Sequence, residues 1–301
     1  MIYDKVAWLG ADFIPTFIAY VLSFIALFIG SITDLKTREV PDWVNYGLII
    51  SGVMLNLLFS FIFSNPSFIV SSVIGLSIFF GIAYIMFYSG QWGGGDSKIL
   101  MGLGAMIGVN PSLVKSQFLF GFFINALFVG AAYGLLWSFF LVFKNRQKFM
   151  REFNKILIRK NIVKLKRFIL IALILLLPLI FFIKLNHIKM LGLSLAFLIL
   201  TTFYLWIFVK AVEKSCMHKL VEPSKLTEGD WIVNDVIVGR KYICGPKDLG
   251  ISKRQIRNLI EYYKEGKVNR ILVKEGVPFV PSFLIAFIVT LVFGNPLIWL
   301  I

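Results

Sequence analysis

Cysteine and histidine are almost missing from this 301-residue chain, with two of each. Cys216 and Cys244 form no CxxC pair, which argues against a structural zinc site and against a disulfide scaffold. His187 and His218 are equally isolated, so no metal site and no cofactor is expected. Acidic residues are scarce too, 16 against 31 Lys and Arg. The alternation of a β-barrel is absent, and the opening Met1-Ile2-Tyr3-Asp4-Lys5 has neither a basic n-region nor a small-residue cleavage site. The first apolar run is therefore expected to remain in the protein as a span.

What is abundant is apolar surface. At 58% hydrophobic residues, in runs of about 20, the composition points to an integral membrane protein crossing the bilayer as helices. The expected fold is an all-α polytopic membrane protein of about eight transmembrane helices, with six or seven as alternatives. Spans are placed at 13–33, 43–63, 67–88, 97–110, 112–143, 168–184, 190–211 and 277–300, with Pro111 separating a short fourth from a long fifth. Three domains follow: 1–212 as a transmembrane catalytic domain, 213–275 as a small α+β cytoplasmic insertion, and 276–301 as the last helix.

Charge gives an independent orientation. Segment 144–167 holds ten Lys or Arg against the single acid Glu152, whereas the opposite side keeps only Lys5, Lys115, Lys184 and Lys189. Positive-inside bias then makes 144–167, the Lys36/Arg38 turn and 213–275 cytoplasmic, in a multi-pass protein of the cell membrane. The net charge of +15 is thereby explained by loops that orient the chain and meet anionic membrane lipid, and no nucleic-acid partner is expected. Within 144–167, Phe149, Phe153, Ile156 and Leu157 recur at helical spacing, which fits an amphipathic interfacial helix or a solvated linker. In 213–275 the run Trp231–Val238 reads as β, and Val268–Lys274 as a short strand. Between them, Ser252 with Gln255 forms a capping-box pattern for a helix that Gly266 stops. About 60 residues make a marginal core, so this insertion is expected to lean on the membrane part or on a partner.

Against this scarcity of acids, Asp34 and Asp96 stand at span ends on the same expected face. A carboxylate in the bilayer costs roughly 2.5–3.5 kcal/mol on insertion scales, so acids bordering spans are retained for a purpose or face water. Paired aspartates sharing a proton give one base for a water and one acid for a carbonyl. Asp96 also suits a helix start, as an N-cap. Gly93, Gly94 and Gly95 leave the backbone beside Asp96 bare, and Gly104 with Gly108 offers a small-residue seam. Helix ends predict Asp34, near a C-terminus, to be the more protonated partner and Asp96, near an N-terminus, the more ionised.

The stretch Gly93-Gly94-Gly95-Asp96-Ser97-Lys98 resembles the GxGDxK motif of type IV prepilin peptidases, membrane aspartic proteases of the GxGD type. Asp34-Leu35-Lys36-Thr37-Arg38-Glu39-Val40-Pro41 is similar to that family's first aspartate motif, and Val277-Pro278-Phe279-Val280-Pro281 to the opening of its last span. The three occur in family order, and the archaeal prepilin and preflagellin branch is the nearest likeness. The resemblance implies an aspartic endopeptidase with Asp34 and Asp96 as catalytic residues, and Gly93, Gly95, Lys98 and Pro41 as substrate-proximal or motif support. It implies no metal, and partners that are pilin-like or archaellin precursors with class III signal peptides, cut at the cytoplasmic face. Bacterial members that also N-methylate often carry paired CxxC cysteines, which this chain lacks, so no methyltransferase activity is expected. Local acids, Glu39 or Asp42, are expected to soften the basic field for a basic leader. The competing reading is a transporter or channel using border carboxylates for ions or protons, although the repeated halves such proteins show are not evident. The presenilin type shares GxGD, but its Pro-Ala-Leu triplet is missing here.

Overall fold

The computed structural model describes residues 2–110, 117–182 and 185–296. Pro111, Lys115, Lys184 and the 297–300 end of the last expected span lie outside the described residues. Contacts divide the chain into two compact units, Met1–Leu135 with Gly276–Ile301, and Leu136–Glu275.

The first unit is helical. It holds α1 (Ile2–Thr37), α2 (Asp42–Ile62), α3 (Ser67–Tyr88), α4 (Gly94–Ile107), the first part of α5 (Gln117–Lys144) and, from the far end of the chain, α10 (Val280–Phe293). By length and apolar composition, five described helices suit a membrane crossing: the Phe13–Thr37 part of α1, α2, α3, Phe118–Lys144 of α5, and Asn186–Met217. Val280–Phe293 is a shorter apolar helix. The protein is thus built as a multi-pass membrane protein.

The innermost element is α4, about 21 Å long at helical rise and buried along most of its length. Its glycines explain how it fits. Gly104 lies against the backbone of Gly75 on α3, where an added Cβ would stand 2.6 Å from the Gly75 carbonyl oxygen. On the other side, a Cβ on Gly102 would meet Leu48 of α2 at 2.8 Å, and one on Gly52 of α2 would meet the Met106 nitrogen at 2.7 Å. The expected Gly104/Gly108 seam is real, but it is one of two flanks, since α4 is wedged between α2 and α3. Polar groups close the far end: Asn56 Nδ2 donates to the carbonyls of Ala105 (3.3 Å) and Met106 (3.1 Å), and Ser72 Oγ donates to that of Ala105 (2.6 Å). These satisfy C-terminal carbonyls that a helix leaves open, from side chains that are themselves buried.

The second unit comprises the rest of α5, α6 (Arg146–Leu157), α7 (Lys160–Phe182), α8 (Asn186–Val212) and the insertion. Segment 144–167 is mostly helical, because its apolar stripe has a partner: Phe149 and Ile156 are buried, with the Phe149 ring 5.5 Å from Phe208 of α8. The insertion begins with a π-turn, Glu213–Met217, that continues α8. It then forms β1 (His218–Val221), β2 (Trp231–Ile232), β3 (Val236–Val238), β4 (Lys241–Cys244), α9 (Lys253–Lys264) and β5 (Ile271–Lys274). One antiparallel sheet has the order β1-β5-β2, and β3 pairs with β4. Ser252 caps α9 with Gln255 in the expected box, and Gly266, at φ 71°, follows its end. A compact core of Leu226, Ile232, Ile243, Ile251, Leu259 and Ile271 fills the insertion.

Candidate active site

Asp34 sits one turn before the end of α1, with its backbone carbonyl accepting from Arg38 N at 2.9 Å. Arg38 takes φ 63°, the left-handed conformation that ends a helix and turns the chain back. Pro41 follows as the residue capping α2, and its carbonyl accepts from Val44 N and Asn45 N. Asn45, fully buried, donates from Nδ2 to the Val40 carbonyl at 3.3 Å. This short, doubly anchored turn carries Val40 onto the start of α4, where Gly95 has no side chain to obstruct it: a Cβ there would stand 3.3 Å from Val40. Gly95 and Pro41 thus lie where the α1–α2 turn meets the Gly-rich segment.

Asp96 is the third residue of α4, with Gly93 rather than Asp96 at the cap position. Its Oδ2 accepts from the Gly93 N–H at 3.0 Å, so the carboxylate reaches back to an amide that the helix itself cannot satisfy. Asp34 is buried, at 6% exposure, and Oδ2 accepts from the Val280 N–H at 2.9 Å. Val280 is the first residue of α10, so a donor in its opening turn, and the positive end of its dipole, face Asp34. The two aspartates therefore each receive a helix-start amide, which removes the asymmetry expected from helix ends alone. The carboxylates lie close enough for the charge of Asp34 to act on Asp96.

Sequence reasoning missed two participants. One is Val280: its motif was read, but nothing local says that its amide meets Asp34. The other is Tyr133 on α5, which lies within electrostatic reach of both Asp34 and Arg38 and carries no motif. The Pro278-Phe279-Val280-Pro281 stretch now has a mechanical meaning. Pro281 stands at the start of α10, where it needs no N–H, and Phe279 packs edge-on against Phe283 (5.3 Å) and beside Trp92 (6.0 Å), which is buried next to the glycines. That aromatic cluster fixes the approach of α10 to the segment before Asp96.

Lys98 is engaged at the surface. Its Nζ pairs with Asp42 Oδ1 at 2.7 Å and lies 5.0 Å over the Tyr46 ring. Asp42 is therefore already compensated, while Glu39 stays exposed. Trp43, beside Asp42, is 66% exposed.

Residues 21–135, a segment containing both aspartates, match the type IV leader peptidase family. The preflagellin peptidase of Methanococcus voltae is 43% identical over 90 residues, 30% of this chain and 38% of that protein. That of Methanocaldococcus jannaschii is 40% identical over 90 residues, with the same coverage of 30% and 38%. The prepilin peptidase EppA of Methanothermobacter thermautotrophicus is 26% identical over 145 residues, 44% of this chain and 38% of that protein. The chain thus spans about 38% of the length of these relatives. The family match and the motif resemblance agree on the region between α1 and α5.

Proposed function

We propose that this chain, matching the type IV leader peptidases across both aspartates, is a membrane aspartic endopeptidase. It removes short basic leaders from pilin-like or archaellin precursors at the cytoplasmic membrane face. The observation that carries this reading is the convergence of Asp34 and Asp96 within one electrostatic site, each held by a backbone amide at a helix start. Two carboxylates within electrostatic reach of each other ionise together less readily than either does alone, which favours one proton held by the pair. The ionised one takes a proton from water as it attacks the scissile carbonyl, and the protonated one donates to the developing oxyanion. The proton then passes to the leaving amine, so neither metal nor covalent intermediate is needed.

The positions of the other charges support the substrate class. Exposed Glu39, on the turn after Asp34, offers a basic leader an acid with no lysine ion pair among the described residues, while Asp42 is held by Lys98. The cytoplasmic face follows from the basic content of 144–167.

The test uses membranes holding the full chain, incubated with pilin-like and archaellin-like precursors, followed by mass analysis of the mature N-terminus. A shortened product with a free, unmethylated amine is expected. Asp34→Asn and Asp96→Asn each lower its formation at least about hundredfold while secondary structure is retained. If no precursor of either type is shortened, or if either variant cuts at the native rate, the reading is wrong.

A further inference from the structure

Away from the aspartates, the second unit carries a basic cleft and an apolar groove that meet at one residue, Trp206 of α8. The cleft encloses about 290 Å³, and Arg159, Lys210 and Lys214 line it. Lys210 lies 4.1 Å over the Trp206 ring. Among the described residues no carboxylate comes within ion-pair distance of these three cations. The acid in the cleft wall, Glu213, is committed to Lys274 at 2.8 Å, and the neighbouring Glu152 to Lys155 at 2.6 Å. Glu152 lies within electrostatic reach of Arg159 and Lys214, but with both acids ion-paired to other lysines the cleft keeps a surplus of positive charge, complementary to an anion.

The groove, which Trp206 also lines, runs between α7 and α8. It encloses about 440 Å³ and is walled by side chains such as Leu165, Leu198 and Phe203, with Thr202 as its polar member. An inorganic anion has no use for such a groove, and a hydrocarbon chain has no use for the cleft. Tryptophan with its apolar body and N–H marks the depth at which membrane hydrocarbon gives way to headgroups, and lysines and arginines on that border attract anionic lipid.

We propose that cleft and groove together bind one anionic phospholipid, its phosphate group among Arg159, Lys210 and Lys214 and a hydrocarbon chain along Leu198 and Phe203. Lys210, stacked on Trp206, stands at the junction between the two parts of the ligand.

Native mass spectrometry of the full chain in detergent, titrated with dioleoylphosphatidylglycerol or dioleoylphosphatidylcholine, tests this. One phosphatidylglycerol per chain is expected to be retained about a hundredfold more tightly than phosphatidylcholine. The triple change Arg159→Gln, Lys210→Gln and Lys214→Gln removes the preference, whereas Lys148→Gln, Arg151→Gln and Lys166→Gln, an equal loss of charge outside the cleft, keeps it. Leu198→Trp, which fills the groove without touching the charges, weakens phosphatidylglycerol retention about tenfold. Inorganic phosphate and glycerol phosphate, added in competition, distinguish the lipid from a free anion. Equal retention of both lipids, equal loss in the control triple, or displacement of the lipid by free phosphate at equal concentration overturns the proposal. Circular dichroism checks each variant, and if the cleft triple does not fold, Leu198→Trp and the lipid comparison decide.

Discussion

Replacing Gly104 by Ala sets two effects against each other, and the structure says which wins. Alanine in place of glycine within a helix is favourable by about 1 kcal/mol through backbone entropy. At Gly104, however, the new methyl would stand 2.6 Å from the Gly75 oxygen and 2.8 Å from Cβ of Phe79, a ring that is fully buried. Backbone cannot swing aside as a flexible side chain does, so α3 and α4 must part. Overpacking of this kind costs about 1–3 kcal/mol, which leaves Gly104→Ala destabilising by up to about 2 kcal/mol. Gly81 on α3, with nothing within 4 Å of its added Cβ, is the control: Gly81→Ala is stabilising by up to about 1 kcal/mol. Because α4 also carries Asp96, separation of the helices displaces a carboxylate of the proposed dyad, and about 1 Å of misplacement would cost on the order of a hundredfold in rate. Unfolding in mixed detergent and SDS micelles, followed by circular dichroism, together with precursor cleavage, reads both effects. If Gly104→Ala is as stable and as active as Gly81→Ala, the wedge of α4 between α2 and α3 has been misread.

Glu39→Lys is expected to slow cleavage of basic leaders several-fold without slowing that of a leader made neutral, whereas Asp42→Asn breaks an exposed pair with Lys98 and shifts stability by less than about 1 kcal/mol; leader-series kinetics and micelle unfolding check the two. Ser252→Ala removes the α9 cap, costing about 1 kcal/mol and raising hydrogen exchange in Lys253–Lys264 of the full chain. Burial is the main influence holding the His218 imidazole below its usual 6.5, with Lys274 and Lys214 adding to it and Glu213 opposing. The folded state therefore binds the proton less readily than the unfolded one, and the contribution to stability is complete above pH 6.5 and fades as pH falls below it. His218→Gln is expected to flatten that acid-side decline, which a series of unfolding curves between pH 7 and 5 measures.

Much of the helical frame was legible because bilayer spans announce themselves by length and apolarity; α2 and α3 fall within a residue of the expected 43–63 and 67–88. The α9 cap was legible for a similar reason, since Ser252, Gln255 and Gly266 act within a few residues of each other. The start of α4 was less so: Asp96 suited an N-cap, but Gly93, lacking a side chain, took the cap and left Asp96 to reach back to its amide. Strands β1 and β4 escaped notice, and β1 owes its form to its pairing with β5, more than fifty residues later. Both aspartates were visible as costly acids with glycines and motifs beside them. Tyr133 and the Val280 amide were not, because what makes them part of the site is a meeting of helices distant in sequence, and nothing in either neighbourhood encodes it.

The bond from Val280 to Asp34 joins residues 246 positions apart. A ribosome adding roughly 5–20 residues per second needs about 12–50 s to travel between them. For most of that interval the nascent chain already contains both aspartates, yet Asp34 lacks the Val280 amide. The bond therefore forms only after α10 has been made. On the proposed function, cleavage would wait on α10, long after both carboxylates are in the chain.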